Sequence, residues 1–96
     1  MTALTPIHPG EHLGEILDEL GISQYRLAKA IGVPPIRINE IVRRRRSITA
    51  DTALRVGTAL GMTPEFWLNL QKMYDLEVAR TSTDTSLIEP LVRETA

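Results

Sequence analysis

The most concentrated chemistry in this sequence is a run of four arginines, Arg43–Arg46. Residues 23–46 carry seven basic side chains against Glu40 alone, a local charge of +6 in a chain of net charge −1. Guanidinium groups bind phosphate oxygens and release counterions as they do so, which makes a polyanion the natural partner of this segment. The alternative interpretation is a charge run that is simply solvated. The secondary-structure elements around the arginines must decide between the two.

The residues just before the arginines carry side chains suited to the edges of DNA bases. Arg37 can donate two hydrogen bonds to guanine, Glu40 can accept one from cytosine, and Ile36 can pack on a thymine methyl group. Together with Pro35, these three are the predicted base-contacting set. The predicted phosphate-contacting set is Gln24, Asn39, Arg43, Arg44, Arg45 and Arg46.

Other potentially reactive side chains have simpler structural explanations. His8 and His12 are four residues apart, but the proline after His8 biases it away from helical geometry, so we predict no metal site. Ser23 has no histidine close to it in the sequence, and we interpret it as a helix cap rather than a nucleophile. Paired carboxylates lie on predicted solvated helix faces. We therefore predict that the chain is not an enzyme and needs no cofactor.

Length and composition limit what the chain can build. Its 96 residues suit one domain, and a chain this short buries too little surface to form a deep substrate cleft. The absence of cysteine excludes disulfides and thiolate metal sites. No apolar run approaches the roughly 20 residues that span a bilayer, and the first residues lack the pattern of a signal peptide. We expect a cytoplasmic protein with no membrane partner.

Apolar periodicity and capping residues predict an all-α fold. Leu13, Leu17 and Leu20 recur at helical spacing, and Gly21 follows them as a left-handed cap. A glycine inside a later helical pattern, Gly57, indicates close helix packing. In that helix Ala53, Leu54 and Leu60 form the expected apolar stripe. The five predicted helices lie at about residues 9–20, 23–31, 34–43, 49–60 and 63–80.

The second and third predicted helices are short and are joined by a tight turn at Gly32. Two such helices, supported by a first helix, form a helix-turn-helix. The major groove is about 12 Å wide and a helix with its side chains is about 10–12 Å across, so the second helix of the pair fits into the groove. We predict that residues 1–80 are a DNA-binding domain and that residues 81–96 are a polar linker and C-terminal tail.

The fifth predicted helix is apolar on two sides, and such a helix must bury both. A wide arc expected to face the core consists of Phe66, Trp67, Leu70, Met73, Tyr74 and Val78. A second stripe, the predicted homodimer interface, consists of Leu68, Leu76 and Ala79. Folding of the tail over this stripe is the alternative. Asn69 and Gln71 are expected either to bond across the interface or to be solvated.

Longer motifs make the sequence similar to a known family. Ser23-Gln24, Leu27-Ala28 and Ile31-Gly32-Val33 look like the phage-repressor (Cro/C1, XRE-type) helix-turn-helix. Further stretches resemble the HigA/VapI antitoxin family, in register over about residues 7–80; these are His8–Glu11, Arg46–Arg55, Pro64–Gln71 and Tyr74–Leu76.

The resemblance implies both a fold and a function. The fold is a five-helix, phage-repressor-like helix-turn-helix domain with a C-terminal dimerisation helix. The function is that of a type II antitoxin, a homodimer that represses its own operon at a palindromic double-stranded DNA operator and neutralises a RelE-like, mRNA-cleaving toxin. Two alternatives remain open: an orphan XRE-type regulator without a toxin, and an antitoxin that has lost DNA binding.

A basic toxin would need an acidic or apolar surface on its antitoxin. The first helix is acidic, and its predicted toxin-contacting residues are Glu11, Glu15 and Asp18.

The sequence departs from the family pattern at both ends of the third helix. Arg43-Arg44 stand where the family usually has Asn-Gly, so either Arg44 adopts a positive φ at a cost of about 1 kcal/mol or the loop ends differently. Pro34-Pro35 replace the more usual polar cap, which removes two backbone donors and puts operator specificity in question.

Overall fold

The computed structural model describes residues 6–92, and within them the chain forms five α-helices and no strand. The all-α prediction is confirmed, and the helix bounds agree with the predicted ones to within two residues. Residues 1–5 of the predicted domain and 93–96 of the predicted tail lie outside the described residues. The helices are α1 (Pro9–Leu20), α2 (Gln24–Ile31), α3 (Pro35–Val42), α4 (Ala50–Leu60) and α5 (Pro64–Ser82).

Capping side chains fix where most helices begin. The His8 Nδ1 accepts from the Gly10 N–H at 2.9 Å, and the Glu11 carboxylate accepts from the His8 N–H at 3.3 Å, which completes a capping box. Ser23 caps α2, as predicted, because its hydroxyl accepts from the Arg26 N–H at 3.0 Å. Thr49 and Thr63 cap α4 and α5 in the same way, whereas α3 begins after Pro34 without a side-chain cap.

The core lies where α1 to α4 meet the first turns of α5. Its largest buried side chains include Leu13, Leu27, Ile38, Ile41 and Trp67, and burial of each such side chain stabilises the fold by about 1.5–3 kcal/mol. The prediction that Trp67 belongs to the core is therefore confirmed. Among residues 6–92, no helix combines the length and apolar character that crossing a bilayer requires.

Several positions of the predicted core-facing apolar stripes are exposed, namely Leu20, Leu54, Phe66, Met73 and Val78. Leu54 is 58% exposed because α4 packs against the core through Ala53 and Val56. Leu54 lies about 100° round the helix from Ala53 and so points away from the core. Met73 is 64% exposed because it lies about 200° round α5 from the buried Gln71.

Two glycines allow backbone segments to approach closely. A Cβ atom at Gly57 would lie 2.5 Å from the Met62 carbonyl oxygen, so the segment that approaches this glycine of α4 is the turn leading into α5. A Cβ atom at Gly10 would overlap the Ile41 carbonyl group. The first turn of α1 therefore rests directly on the C-terminal end of α3.

Candidate nucleic-acid interface

The turn between α2 and α3 is fixed by both its backbone and α4. Gly32 ends α2 with a φ of 73°, a left-handed conformation that glycine adopts without strain, and the Val33 side chain is buried. Arg55 on α4 donates to the Ile31 carbonyl oxygen at 2.7 Å and pairs with Asp51 at 3.0 Å. This contact joins α4 to the end of α2, and no local sequence pattern beyond the Asp51–Arg55 spacing indicates it.

The helix α3 turns one side to the core and leaves the other accessible. Ile38 and Ile41 are fully buried, whereas Ile36 is 64% exposed. Pro35 is also exposed, and Arg37 and Glu40 are half-buried. The predicted base-contacting side chains thus lie outside the core, as a helix entering a groove requires.

A hydrogen bond connects α2 to α3 across this surface. The Asn39 side-chain amide donates to the Gln24 side-chain oxygen at 3.2 Å, and both side chains are half-buried. The structure therefore places these two members of the predicted phosphate-contacting set against each other, at the first residue of α2 and the middle of α3. Because Gln24 is the first residue of α2, it lies beside backbone N–H groups that have no partner within the helix.

The loop that follows α3, residues 43–49, is here called the arginine loop. Arg44 has a φ of 63°, the only positive value at a non-glycine residue in the described chain. The Arg44 N–H donates to the Ile41 carbonyl at 2.9 Å, and the Arg45 N–H donates to the Glu40 carbonyl at 2.8 Å. The first of the two predicted outcomes at Arg44 is confirmed, and the left-handed residue satisfies the last carbonyls of α3.

The four arginines divide into two pairs. Arg44 lies 3.7 Å from a Glu11 carboxylate oxygen and Arg46 lies 2.9 Å from one of Glu40. Within residues 6–92, Arg43 and Arg45 are exposed and have no carboxylate within ion-pair distance. Exposed ion pairs contribute at most about 1 kcal/mol, but they orient the guanidinium groups that form them. Arg43 and Arg45 therefore carry the charge that is free for a polyanion.

A buried glutamine on α5 holds the far side of the arginine loop. The Gln71 side-chain oxygen accepts from the Ile48 N–H at 2.8 Å, and its amide donates to Asp75 at 2.9 Å. Gln71 is only 6% exposed, so the expectation that it is solvated or bonds across an interface is wrong. The two bonded residues are 23 positions apart, which is why helical periodicity could not identify their contact.

His8 sits where α1, α5 and the arginine loop meet. It is buried and its ring meets that of Tyr74 edge to face, with centroids 4.8 Å apart. Burial lowers the pKa of His8 from its usual value of 6.5, against the opposing influence of Asp75 and Glu11. Its ring nitrogen is used to cap α1, which gives His8 a structural role.

The predicted dimer residues occupy different environments on α5. Leu68 is half-buried and packs against the core, whereas Leu76 is 50% exposed and Ala79 is half-buried. Met73 and Val78 are also exposed, so the second half of α5 presents several uncovered apolar side chains. The structure thus separates Leu68, near the bundle, from Leu76 and Ala79, beyond it.

The predicted toxin-contacting residues also differ in their exposure and in their partners. Glu15 and Asp18 are exposed on α1. Glu11 is half-buried, accepts from the His8 N–H and faces Arg44. Glu11 therefore has structural partners that Glu15 and Asp18 lack among the described residues.

Comparison with known sequences gives a consistent set of relatives. The helix-turn-helix family model matches residues 13–68. Virulence-associated protein I of Dichelobacter nodosus is 51% identical over 87 residues, which span 88% of this chain and 81% of that protein. Antitoxin HigA-1 of Vibrio cholerae is 36% identical over 93 residues, which span 94% of this chain and 88% of that protein.

Solved structures of similar proteins have the same fold. The addiction module antidote protein of the HigA family from Coxiella burnetii gives a TM-score of 0.85 at 43% identity, over 95% of this chain and 100% of that one. The Pseudomonas aeruginosa antitoxin HigA, solved with the higBA promoter, gives a TM-score of 0.85 at 43% identity, over 91% of this chain and 99% of that one.

Proposed function

This chain belongs to the HigA/VapI antitoxins of the helix-turn-helix family, and from that premise we propose that it is a DNA-binding antitoxin that represses its own operon. The observation that carries the proposal is the accessible side of α3, which lies directly before the free cationic side chains of Arg43 and Arg45. A relative with this fold, antitoxin HigA of Pseudomonas aeruginosa, was solved with the higBA promoter.

In the proposed complex, α3 lies in the major groove. Arg37 donates to a guanine and Ile36 packs on a thymine methyl group, with Pro35 and Glu40 beside them. Arg43 and Arg45 contact phosphates, and Gln24 does so from the first turn of α2. The C-terminal end of α3 carries the negative end of the helix dipole, which favours the arginines that surround it.

A palindromic operator requires two copies of α3, and α5 is the proposed source of that symmetry. Leu76, with Met73 and Val78 near it, exposes apolar surface that a single copy leaves in water. Pairing of α5 with its copy buries this surface and sets the spacing of two half-sites. Replacement of Leu76 by Asp should give monomers in light scattering, whereas a persistent dimer would place the interface elsewhere.

The proposed second partner is a basic toxin of the RelE-like, mRNA-cleaving type. The exposed carboxylates of Glu15 and Asp18 lie on one side of α1, with Glu11 at the edge of the same surface, and they suit a cationic protein. Charge reversal at Glu15 and Asp18 should weaken the complex, and unchanged toxin affinity would remove α1 from the interface. An orphan regulator is the second candidate function, favoured by a 30% identical protein of Escherichia coli, described as an uncharacterized HTH-type transcriptional regulator, that matches 90% of this chain.

The central experiment is binding to the DNA upstream of the gene, measured by fluorescence anisotropy against scrambled DNA at the same salt concentration. Arg37→Ala should cost about 1–3 kcal/mol at one operator position, because a bidentate base contact discriminates by that amount. Thr58→Ala, an exposed change on α4, is the control. Equal affinity of the wild type for both DNAs would contradict the proposed repressor function.

Co-expression with the product of the adjacent gene separates the antitoxin from the orphan regulator. A stable complex with a small basic protein, together with release of growth inhibition, is the expected result for an antitoxin. An operator-binding protein with no such neighbour would be an orphan regulator.

A further inference from the structure

We propose that Gln71 is a positioning residue for DNA binding, which holds the arginine loop against α5 in the orientation that phosphate contacts require. This inference rests on the proposed operator binding but concerns a residue that cannot itself touch DNA. Gln71 is buried on α5, and its side-chain oxygen accepts the Ile48 N–H at 2.8 Å.

The hydrogen bond is the main polar attachment of the loop's second half. The first half is held by the end of α3 and by the carboxylates of Glu11 and Glu40. In the stretch 46–48, the bond from Ile48 to Gln71 is the one backbone hydrogen bond within the described chain. The Ile48 side chain is also buried, so the loop is fixed at this point by packing and by Gln71 together.

Asp75 determines which way the Gln71 amide faces. A carboxylate only accepts, so the side-chain NH₂ group of Gln71 must face Asp75, at 2.9 Å, and the oxygen must face Ile48. Asp75 also lies near His8, which caps α1. Gln71 and Asp75, one turn apart on α5, therefore lie beside the arginine loop and the start of α1.

The arrangement links two regions that the proposed function uses separately. Met73 and Leu76, two of the exposed apolar residues of α5, lie within a turn of Gln71 and Asp75 on the same helix. A change in the position of α5, as when it pairs with a second copy, is transmitted through Gln71 to the arginine loop. Phosphate contacts and the placement of α5 are thereby coupled.

The test compares Gln71→Leu with the wild type for operator DNA binding, at temperatures well below unfolding. The leucine leaves the buried Ile48 N–H without its acceptor, so the loop should shift to solvate it. We expect Kd to rise about tenfold and the slope of log K against log salt to fall by about one unit, the loss of one phosphate contact. The Ile48 amide should exchange its hydrogen at least tenfold faster in the free protein.

A double variant tests the geometry directly. In Gln71→Glu with Asp75→Asn, the carboxylate at position 71 can accept from Ile48 and the amide at position 75 can donate to it, at unchanged net charge. This double variant should have a Kd within about threefold of that of the wild type. Asp75→Asn alone is the variant with which it is compared. Thr58→Val likewise removes a polar side-chain group, at an exposed position of α4 away from the proposed dimer surface, and should leave Kd and the slope unchanged.

A purely structural role gives a different result. If Gln71→Leu lowers Tm but leaves Kd, the salt slope and Ile48 exchange at wild-type values, the positioning role is overturned. If the wild type shows no preference for its operator, the proposed function has failed. The Ile48 exchange rates, measured without DNA, then still decide whether Gln71 fixes the loop.

Discussion

The two ends of α3 are built in opposite ways. At its N-terminal end, Pro34 offers no side-chain cap, and Pro35 and Ile36 are exposed. At its C-terminal end, the arginine loop is held by backbone hydrogen bonds, by two carboxylates and by Gln71. Phosphate contacts set the register of a DNA-binding protein and base contacts give its specificity. The C-terminal end, here called the fixed end, therefore suits the positioning role. The N-terminal end leaves its side chains free to meet bases.

The contrast also explains where sequence variation can be accommodated. Few contacts within the protein depend on Pro35 or Ile36, so substitutions there should alter operator choice at little cost in stability. Substitutions around the C-terminal end should alter stability and affinity together, because the same contacts serve both.

At the fixed end, the backbone at Gly10 lies so near the Ile41 carbonyl that a Cβ atom would overlap it. Gly10→Ala should destabilise the fold by about 3 kcal/mol or more, because neither backbone segment can move without separating α1 from α3. Urea unfolding measures the loss. Gly14→Ala, whose Cβ atom would meet only the Val42 side chain at 3.4 Å, is the matched control and should be close to neutral. Similar stabilities of the two variants would show that the fixed end is not rigid.

The two pairs of arginines in the arginine loop can be tested against each other. Replacement of Arg43 and Arg45 by Ala should reduce the salt slope by about 1.8 units, because each free guanidinium is expected to neutralise one phosphate. Replacement of Arg44 and Arg46 should reduce it less, since Glu11 and Glu40 already neutralise these two side chains. Both variants lose the same net charge, so each controls for the other. Equal slopes would mean that the ion pairs open on DNA binding.

His8 makes the stability of the fold depend on pH. Its pKa is lowered in the folded chain, so the unfolded chain binds more protons as the pH falls below 6.5. The stability that neutral His8 contributes is complete above that value and is lost as the pH falls through the lower folded pKa. His8→Asn retains a capping side chain that does not titrate. Urea midpoints should fall more steeply below pH 6.5 for the wild type, and parallel curves would show that His8 contributes nothing.

Much of this architecture could be predicted from local sequence, for a physical reason. Helix bounds follow from periodicity and capping. The left-handed conformation of Arg44 follows from its position just after α3, where a left-handed residue commonly ends a helix. The exposure of Leu54 and the burial of Gln71 could not be predicted in this way, because they depend on which helix lies opposite. The pairing of Glu40 with Arg46 likewise depends on the path of the loop, and it occupies a side chain that the sequence assigned to a base.

The smallest expected effect concerns Arg44, whose φ of 63° is strained for a residue with a side chain. Arg44→Gly should relieve about 1 kcal/mol of backbone strain and lose at most a comparable amount from the exposed Glu11 pair, so a net gain of up to about 1 kcal/mol is expected. Arg45→Gly, at a position without positive φ, should instead destabilise by about 0.5–1 kcal/mol. Operator affinity should fall more in Arg45→Gly than in Arg44→Gly, since Glu11 already pairs with Arg44. A loss of stability in Arg44→Gly as large as that in Arg45→Gly would show that the Glu11 contact, rather than backbone conformation, determines how α3 ends.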